Sequence, residues 1–174
     1  MRKCDDIARL TNDMTLHSLT GLDKLMVQCE PVDLKAIVTE TVADIMPDSD
    51  KIRVHLPDEP LKIRADAGRV SQIIENVLNN ADKYAGTQID LNLYADKGQD
   101  AVLEIRDYGP GIPDEDMPFI FDKFYRGHNI GNRPGSGLGL YIVRYLLEKQ
   151  EATIEVQNAN PGLAVRMRFA AEEQ

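Results

Sequence analysis

Apolar residues recur at helical spacing in three stretches of the chain and alternate with polar ones in six others. In "EPVDLKAIVTETVADIM", Leu34, Ile37, Val38, Val42 and Ile45 form one helical face, with Asp33 placed as N-cap and Pro47 closing the element. Val70, Ile73, Ile74, Val77, Leu78 and Ala81 give a second helix, which Asp66 can cap and which runs to about Ala85, where Gly86 stops it. "LGLYIVRYLLEKQ" is a third. "KIRVHL" and "LKIRA" alternate as strands with "PDEP" as the turn between them, and "TQIDLNLYA" and "AVLEIRDYG" follow, joined by "DKGQD". "ATIEVQN" and "LAVRMRF" form the last pair. The pattern predicts an α+β fold, a two-layer sandwich with three main helices on one face of a mixed, largely antiparallel sheet.

Two regions depart from this regularity. Residues 1–29 read as a helical segment with a ragged apolar stripe of Ile7, Leu10, Met14, Leu22 and Leu25, too weakly patterned to fold alone. From Pro110 to Gly139 there are six glycines, and "RGHNIGNRPGSGLG" has neither a helical nor a strand period. A loop of that length in a compact domain is usually functional, often a lid.

Composition narrows the classes of function. The 174 residues suit one domain of ordinary size, and a net charge of −9 disfavours non-specific binding to nucleic acid. A polyanionic ligand would need a local concentration of positive charge. Cys4 and Cys29 form neither a metal-ligand cluster nor a disulfide framework, so a reducing compartment is expected.

Three stretches place costly residues in structured positions. Asn76, Asn80 and Lys83 stand at i, i+4 and i+7 of the second helix, beside its apolar face. Asparagine costs a helix about 0.6 kcal/mol relative to alanine. The stripe is either a plain polar face or a set of neutral oxygen ligands suited to Mg²⁺, with a lysine for phosphate. In "RDYGPGIP", Asp107 ends a strand before Gly109 and Gly111. This is either a turn or a carboxylate that accepts from the amino group of adenine and repels the carbonyl of guanine, with glycines that admit a flat ligand. In "RPGSGLGL", Gly135, Gly137 and Gly139 enter a helix whose N-terminal amides favour phosphate. It is not a P-loop, because no GK[ST] follows, and its glycine spacing is not that of the dinucleotide fingerprint.

The order of these stretches, with "IFDKFYRG" between the last two, resembles the catalytic ATP-binding domain of sensor histidine kinases, in the superfamily shared with gyrase, Hsp90 and MutL. "ENVLNNADKYA" resembles the family's N box, "DYGPGIP" its G1 box, "IFDKFYRG" its F box and "GSGLGLYIV" its G2 box. The resemblance covers about residues 30–170 and implies a Bergerat-type fold that binds Mg-ATP. It implies Asn80 as Mg²⁺ ligand, Asn76 as a second ligand or water-orienter, Lys83 on phosphate and Tyr84 against adenine, with a core role for Tyr84 as the alternative. Asp107, Gly109, Gly111 and Ile112 would form the base site, and Gly135, Ser136, Gly137, Leu138 and Gly139 the phosphate site. Arg133, or else Arg126, would reach the γ-phosphate. Phe121 and Phe124 are expected to anchor the lid, and Glu75 and Asn79 to be ordinary helix residues.

The family reaction moves the γ-phosphoryl group of ATP to a histidine on a helical dimerisation domain, then to a response regulator. None of His17, His55 and His128 sits in the expected acceptor helix pattern. Residues 1–29 therefore read as the end of the dimerisation domain and its linker, with residues 30–174 as the ATP-binding domain. On this reading the chain is a fragment that binds ATP or ADP, does not phosphorylate itself and is monomeric. The full-length protein would be a homodimer, membrane-anchored, with this part in the bacterial cytoplasm. The rival readings are an anti-sigma-factor-type serine kinase and an ATP-dependent interaction module that transfers nothing.

Overall fold

Two aspartates start two of the helices. In the computed structural model, which describes residues 26–47, 50–127 and 135–172, Asp33 accepts from the amide of Lys35 and opens α1 (Leu34–Ile45). Asp66 accepts from the amide of Arg69 and opens α2 (Ala67–Tyr84). Each bond satisfies a donor that the first helical turn leaves unpaired. α3 (Gly139–Glu148) has no side-chain cap. The strands are β1 (Glu30–Asp33), β2 (Ile52–His55), β3 (Lys62–Ala65), β4 (Ile89–Ala95), β5 (Ala101–Asp107), β6 (Thr153–Asn158) and β7 (Leu163–Phe169).

The main sheet has the order β2-β4-β5-β7-β6, with β2 parallel to β4 and every other neighbour antiparallel. Its alternation separates two faces. Inward, Ile89, Leu91, Leu103, Ile105 and Met167 are buried against Ile73, Ile74 and Leu78 of α2 and Val143, Leu146 and Leu147 of α3. Outward, Arg53 pairs with Asp90, Arg166 with Glu104 and Arg168 with Asp96, so that face is solvated and its charges are balanced. α2 packs between α1 and α3 and is the central helix of its layer. The expected three helices on a largely antiparallel sheet are all present among the described residues.

Two details differ from expectation. Glu30–Asp33 is a strand rather than part of the approach to a helix, and it pairs antiparallel with β3 in a separate two-stranded sheet. The strands flanking "PDEP" do not pair with each other, because β2 joins β4 and β3 joins β1. Period-two alternation identifies a strand, but its partner is chosen by distant residues. The helical segment expected over residues 1–29 lies outside the described residues except for 26–29, which are not helical.

Candidate functional site

The polar stripe of α2 is half-buried and turned towards the start of α3. Asn76 donates through Nδ2 to the carbonyl of Gln72 at 2.9 Å, which leaves its Oδ1 directed away from that bond as an acceptor. A Cβ added to Gly139 would lie 3.6 Å from this Oδ1, and 3.3 and 3.5 Å from Nδ2 and Oδ1 of Asn80. One turn further along, a Cβ on Gly135 would lie 2.5 Å from Lys83 Nζ and 3.1 Å from the Tyr84 hydroxyl. Lys83 Nζ also sits 4.8 Å from the centre of the Tyr84 ring. The glycine segment thus runs along the asparagine–lysine stripe. The uncapped α3 N-terminus points its partial positive charge into the same place.

Asp107 ends β5, the middle strand of the sheet, on its inward side. Its Oδ1 accepts from the amides of Gly109 at 2.9 Å and Leu163 at 3.2 Å. Burial raises its pKa above the ordinary carboxylate range, against the opposing pull of those two backbone donors and of Arg106. The neighbouring residues point to the other face: Arg106 lies over the Tyr108 ring at 4.6 Å, and the Tyr108 hydroxyl donates to Asp90 at 2.5 Å. Gly109 is required by the chain itself as well as by any ligand, since its Cβ would lie 2.6 Å from the Cβ of Ala85. That close approach brings the G1 loop against the end of α2.

The F-box segment is organised by a buried carboxylate. Asp116 is 0% exposed and accepts at 2.6 Å from the hydroxyl of Tyr125, whose own pKa is pushed up to about 12, chiefly by this bond. Phe121 is partly buried, with the Arg144 guanidinium over its ring. Phe124 is not the anchor expected of it, because it is 59% exposed. The Leu138 side chain is wholly buried in the core, so its place in the glycine segment leaves only its backbone for a ligand.

The fold therefore gathers Asn76, Asn80, Lys83, Tyr84, Gly135 and Gly139 in one place, and puts Asp107 and Gly109 beside the end of the same helix, with Gly111 and Ile112 against Asn158. Ser136 and Gly137 lie between the two glycines of the first group, and Arg126 is exposed at the end of the F box. Arg133 and His128 fall outside the described residues. Sequence reasoning missed Asn158, which binds the backbone of Ile112 from 46 residues away. The turn signal of "NANPG", which Asn158 opens, gave no hint of that partner. A cleft of about 480 Å³ between α1 and α2 is lined by Glu40, Asp44 and Glu75, whose charge opposes any polyanion.

An α+β sandwich that aligns a glycine-rich helix start with an asparagine–lysine stripe, and ends its middle strand in a carboxylate, is the architecture of one ATPase class. Residues 65–173 match the family described as "Histidine kinase-, DNA gyrase B-, and HSP90-like ATPase", and the chain belongs to it. Its relatives in that family include sensor histidine kinases. It is 27% identical over 164 residues to the signal transduction histidine-protein kinase/phosphatase MprB of Mycobacterium avium, covering 93% of this chain and 31% of that protein. It is 37% identical over 119 residues to the sensor protein KdpD of Clostridium acetobutylicum, covering 66% of this chain and 13% of that protein. The solved structure of a mycobacterial sensor histidine kinase MprB superposes with a TM-score of 0.73 at 28% identity, over 83% of this chain and 100% of that one. The chain thus spans about a third or less of the curated relatives it matches.

Proposed function

We propose that this domain binds ATP with Mg²⁺ and donates the γ-phosphoryl group to a histidine on a helical dimerisation domain, from which a response regulator receives it. The observation that carries the proposal is the alignment of Gly135 with Lys83 and of Gly139 with Asn80 and Asn76. It joins backbone donors, a cation and neutral oxygens, which is the chemistry of a metal-bound polyphosphate.

The donor set fits Mg²⁺. Asn76 has its amide nitrogen engaged with Gln72 and its oxygen available, and Asn80 stands one turn on. No cluster of three or more His, Cys, Asp or Glu that could hold a metal occurs among the described residues. Asn80 and Asn76 would hold the ion, with phosphate and water completing a shell that Mg²⁺ rarely draws from protein alone. When bound, the ion would neutralise phosphate charge. Asp107 orients the base, Lys83 and the amides of Gly135–Gly139 bind phosphate, and Arg133 or Arg126 meets the γ-phosphate. The acceptor imidazole nitrogen forms a bond to phosphorus as the bond to the ADP oxygen breaks, so the protein supplies position and charge and forms no covalent intermediate.

No helix among the described residues is long and apolar enough to cross a membrane. Because ATP is an intracellular substrate, we assign the domain to the cytoplasmic side of a membrane-anchored homodimer, with residues 1–29 leading in from the dimerisation helices. The test is calorimetric titration with ATP and GTP, with and without Mg²⁺, followed by addition of the helical domain in trans and assay for acid-labile phosphohistidine. Mg²⁺-dependent preference for ATP with transfer is expected. Binding without transfer would make the domain a nucleotide-dependent interaction module.

A further inference from the structure

The loop after Asp107 is fastened by the turn between β6 and β7. Asn158, the last residue of β6, puts both ends of its carboxamide on the backbone of one residue. The Ile112 amide donates to Asn158 Oδ1 at 2.9 Å, and Asn158 Nδ2 donates to the Ile112 carbonyl at 2.7 Å. An amide that accepts from and donates to the same residue fixes rotation as well as distance. The loop closes tightly on it: Gly111 has φ +73° and a Cβ there would lie 2.5 Å from Asn158 Oδ1, so this glycine answers to Asn158 before any ligand. The same turn reaches Asp107 directly. Leu163, just beyond it, donates to Asp107 Oδ1 at 3.2 Å, and Arg106 donates to the carbonyls of Ala159 at 3.2 Å and Pro161 at 3.4 Å. One turn therefore holds the strand end, its carboxylate and the loop that follows.

We propose that Asn158 is a positioning residue for base recognition: by clamping Ile112 it sets the path of residues 107–112, and so the direction in which Asp107 meets the amino group of adenine. The proposal rests on the assignment of Asp107 to adenine. Asn158 acts at the base end alone, because its side-chain hydrogen bonds are to Ile112, whereas the residues assigned to phosphate lie along α2 and the start of α3.

The experiment compares Mg-ATP with Mg-tripolyphosphate, a probe with no base, by calorimetry on the intact chain, beside amide hydrogen exchange at Ile112. In Asn158→Ala, Ile112 exchange accelerates and ATP affinity falls about tenfold, while tripolyphosphate affinity holds. Asn158→Asp keeps the acceptor and loses the donor, so its ATP affinity lies between; it decides the matter if the alanine variant does not fold. A proportional loss of both ligands, or an ATP-to-tripolyphosphate ratio equal to wild type in the folded variants, overturns the proposal alone. A wild-type chain that binds ATP no more tightly than tripolyphosphate overturns the adenine assignment and the proposal with it.

Discussion

Replacing Asp107 with asparagine separates recognition from stability. Both backbone donors, Gly109 and Leu163, converge on Oδ1, so an amide with its oxygen in that place keeps both bonds. Nitrogen then replaces Oδ2 and offers hydrogens where the carboxylate offered lone pairs. Against adenine this sets donor against donor; against guanine it creates a match. Losing a charge-assisted hydrogen bond costs about 1.5–3 kcal/mol, or roughly ten- to a hundred-fold in Kd. Stability moves the other way. Burial is the largest influence on the Asp107 pKa and raises it, so the ionised side chain is disfavoured in the fold, and a neutral amide of the same shape avoids that cost. Calorimetric titration with ATP and GTP, paired with a thermal melt, is expected to show ATP binding weakened, GTP binding maintained or strengthened, and Tm unchanged or higher. An equal loss of both nucleotides, or a clearly lower Tm, would refute the reasoning.

The same carboxylate predicts a pH dependence. Its folded pKa is raised, so the group stabilises the fold below the unfolded carboxylate pKa and this contribution is lost as pH rises through the folded value. ATP affinity runs in the opposite sense, failing as pH falls through that value; the acid limb should begin above the ordinary aspartate pKa of about 3.9 and vanish in Asp107→Asn. Asn80→Ala should abolish most of the Mg²⁺ dependence of ATP binding, and equal affinities with and without metal in both proteins would count against the ligand role. Leu78→Ala removes a wholly buried side chain and should cost about 2–5 kcal/mol in urea unfolding, where a loss below about 1 kcal/mol would show that its surroundings collapse to fill the space.

Local pattern carried the helices and most strands, because burial on one face writes a period into the sequence. Asp33 and Asp66 are caps as expected, and α2 ends at Tyr84 beside the predicted stop. The stripe of Asn76, Asn80 and Lys83 was legible for the same reason, since spacing on one helix fixes a shared flank. Pairing was not legible. β2 lies parallel to β4 across a whole intervening helix, and β1 reads as the lead into α1 because Pro31 and two acids hide its alternation. Phe124 shows the converse failure: an aromatic in an apolar-looking motif suggests burial, yet its left-handed backbone (φ +63°) turns it outward to 59% exposure. Asn158 had no local signature at all, because its contact with Ile112 depends on a loop closed by tertiary structure.

α2 carries its apolar ridge and its polar stripe on one rigid body. Ile73, Ile74, Val77 and Leu78 fix how the helix is rolled about its axis, and that roll fixes where Asn76, Asn80 and Lys83 point. An amide head about 6 Å from the axis sweeps about 1 Å for a roll of about 10°, which exceeds the roughly 0.5 Å that a positioned site tolerates. The packing of the hydrophobic layer is therefore an angular setting for the proposed phosphate site. Core substitutions that conserve volume well enough to keep the fold can still detune the site, and loss of activity is to be expected before loss of structure.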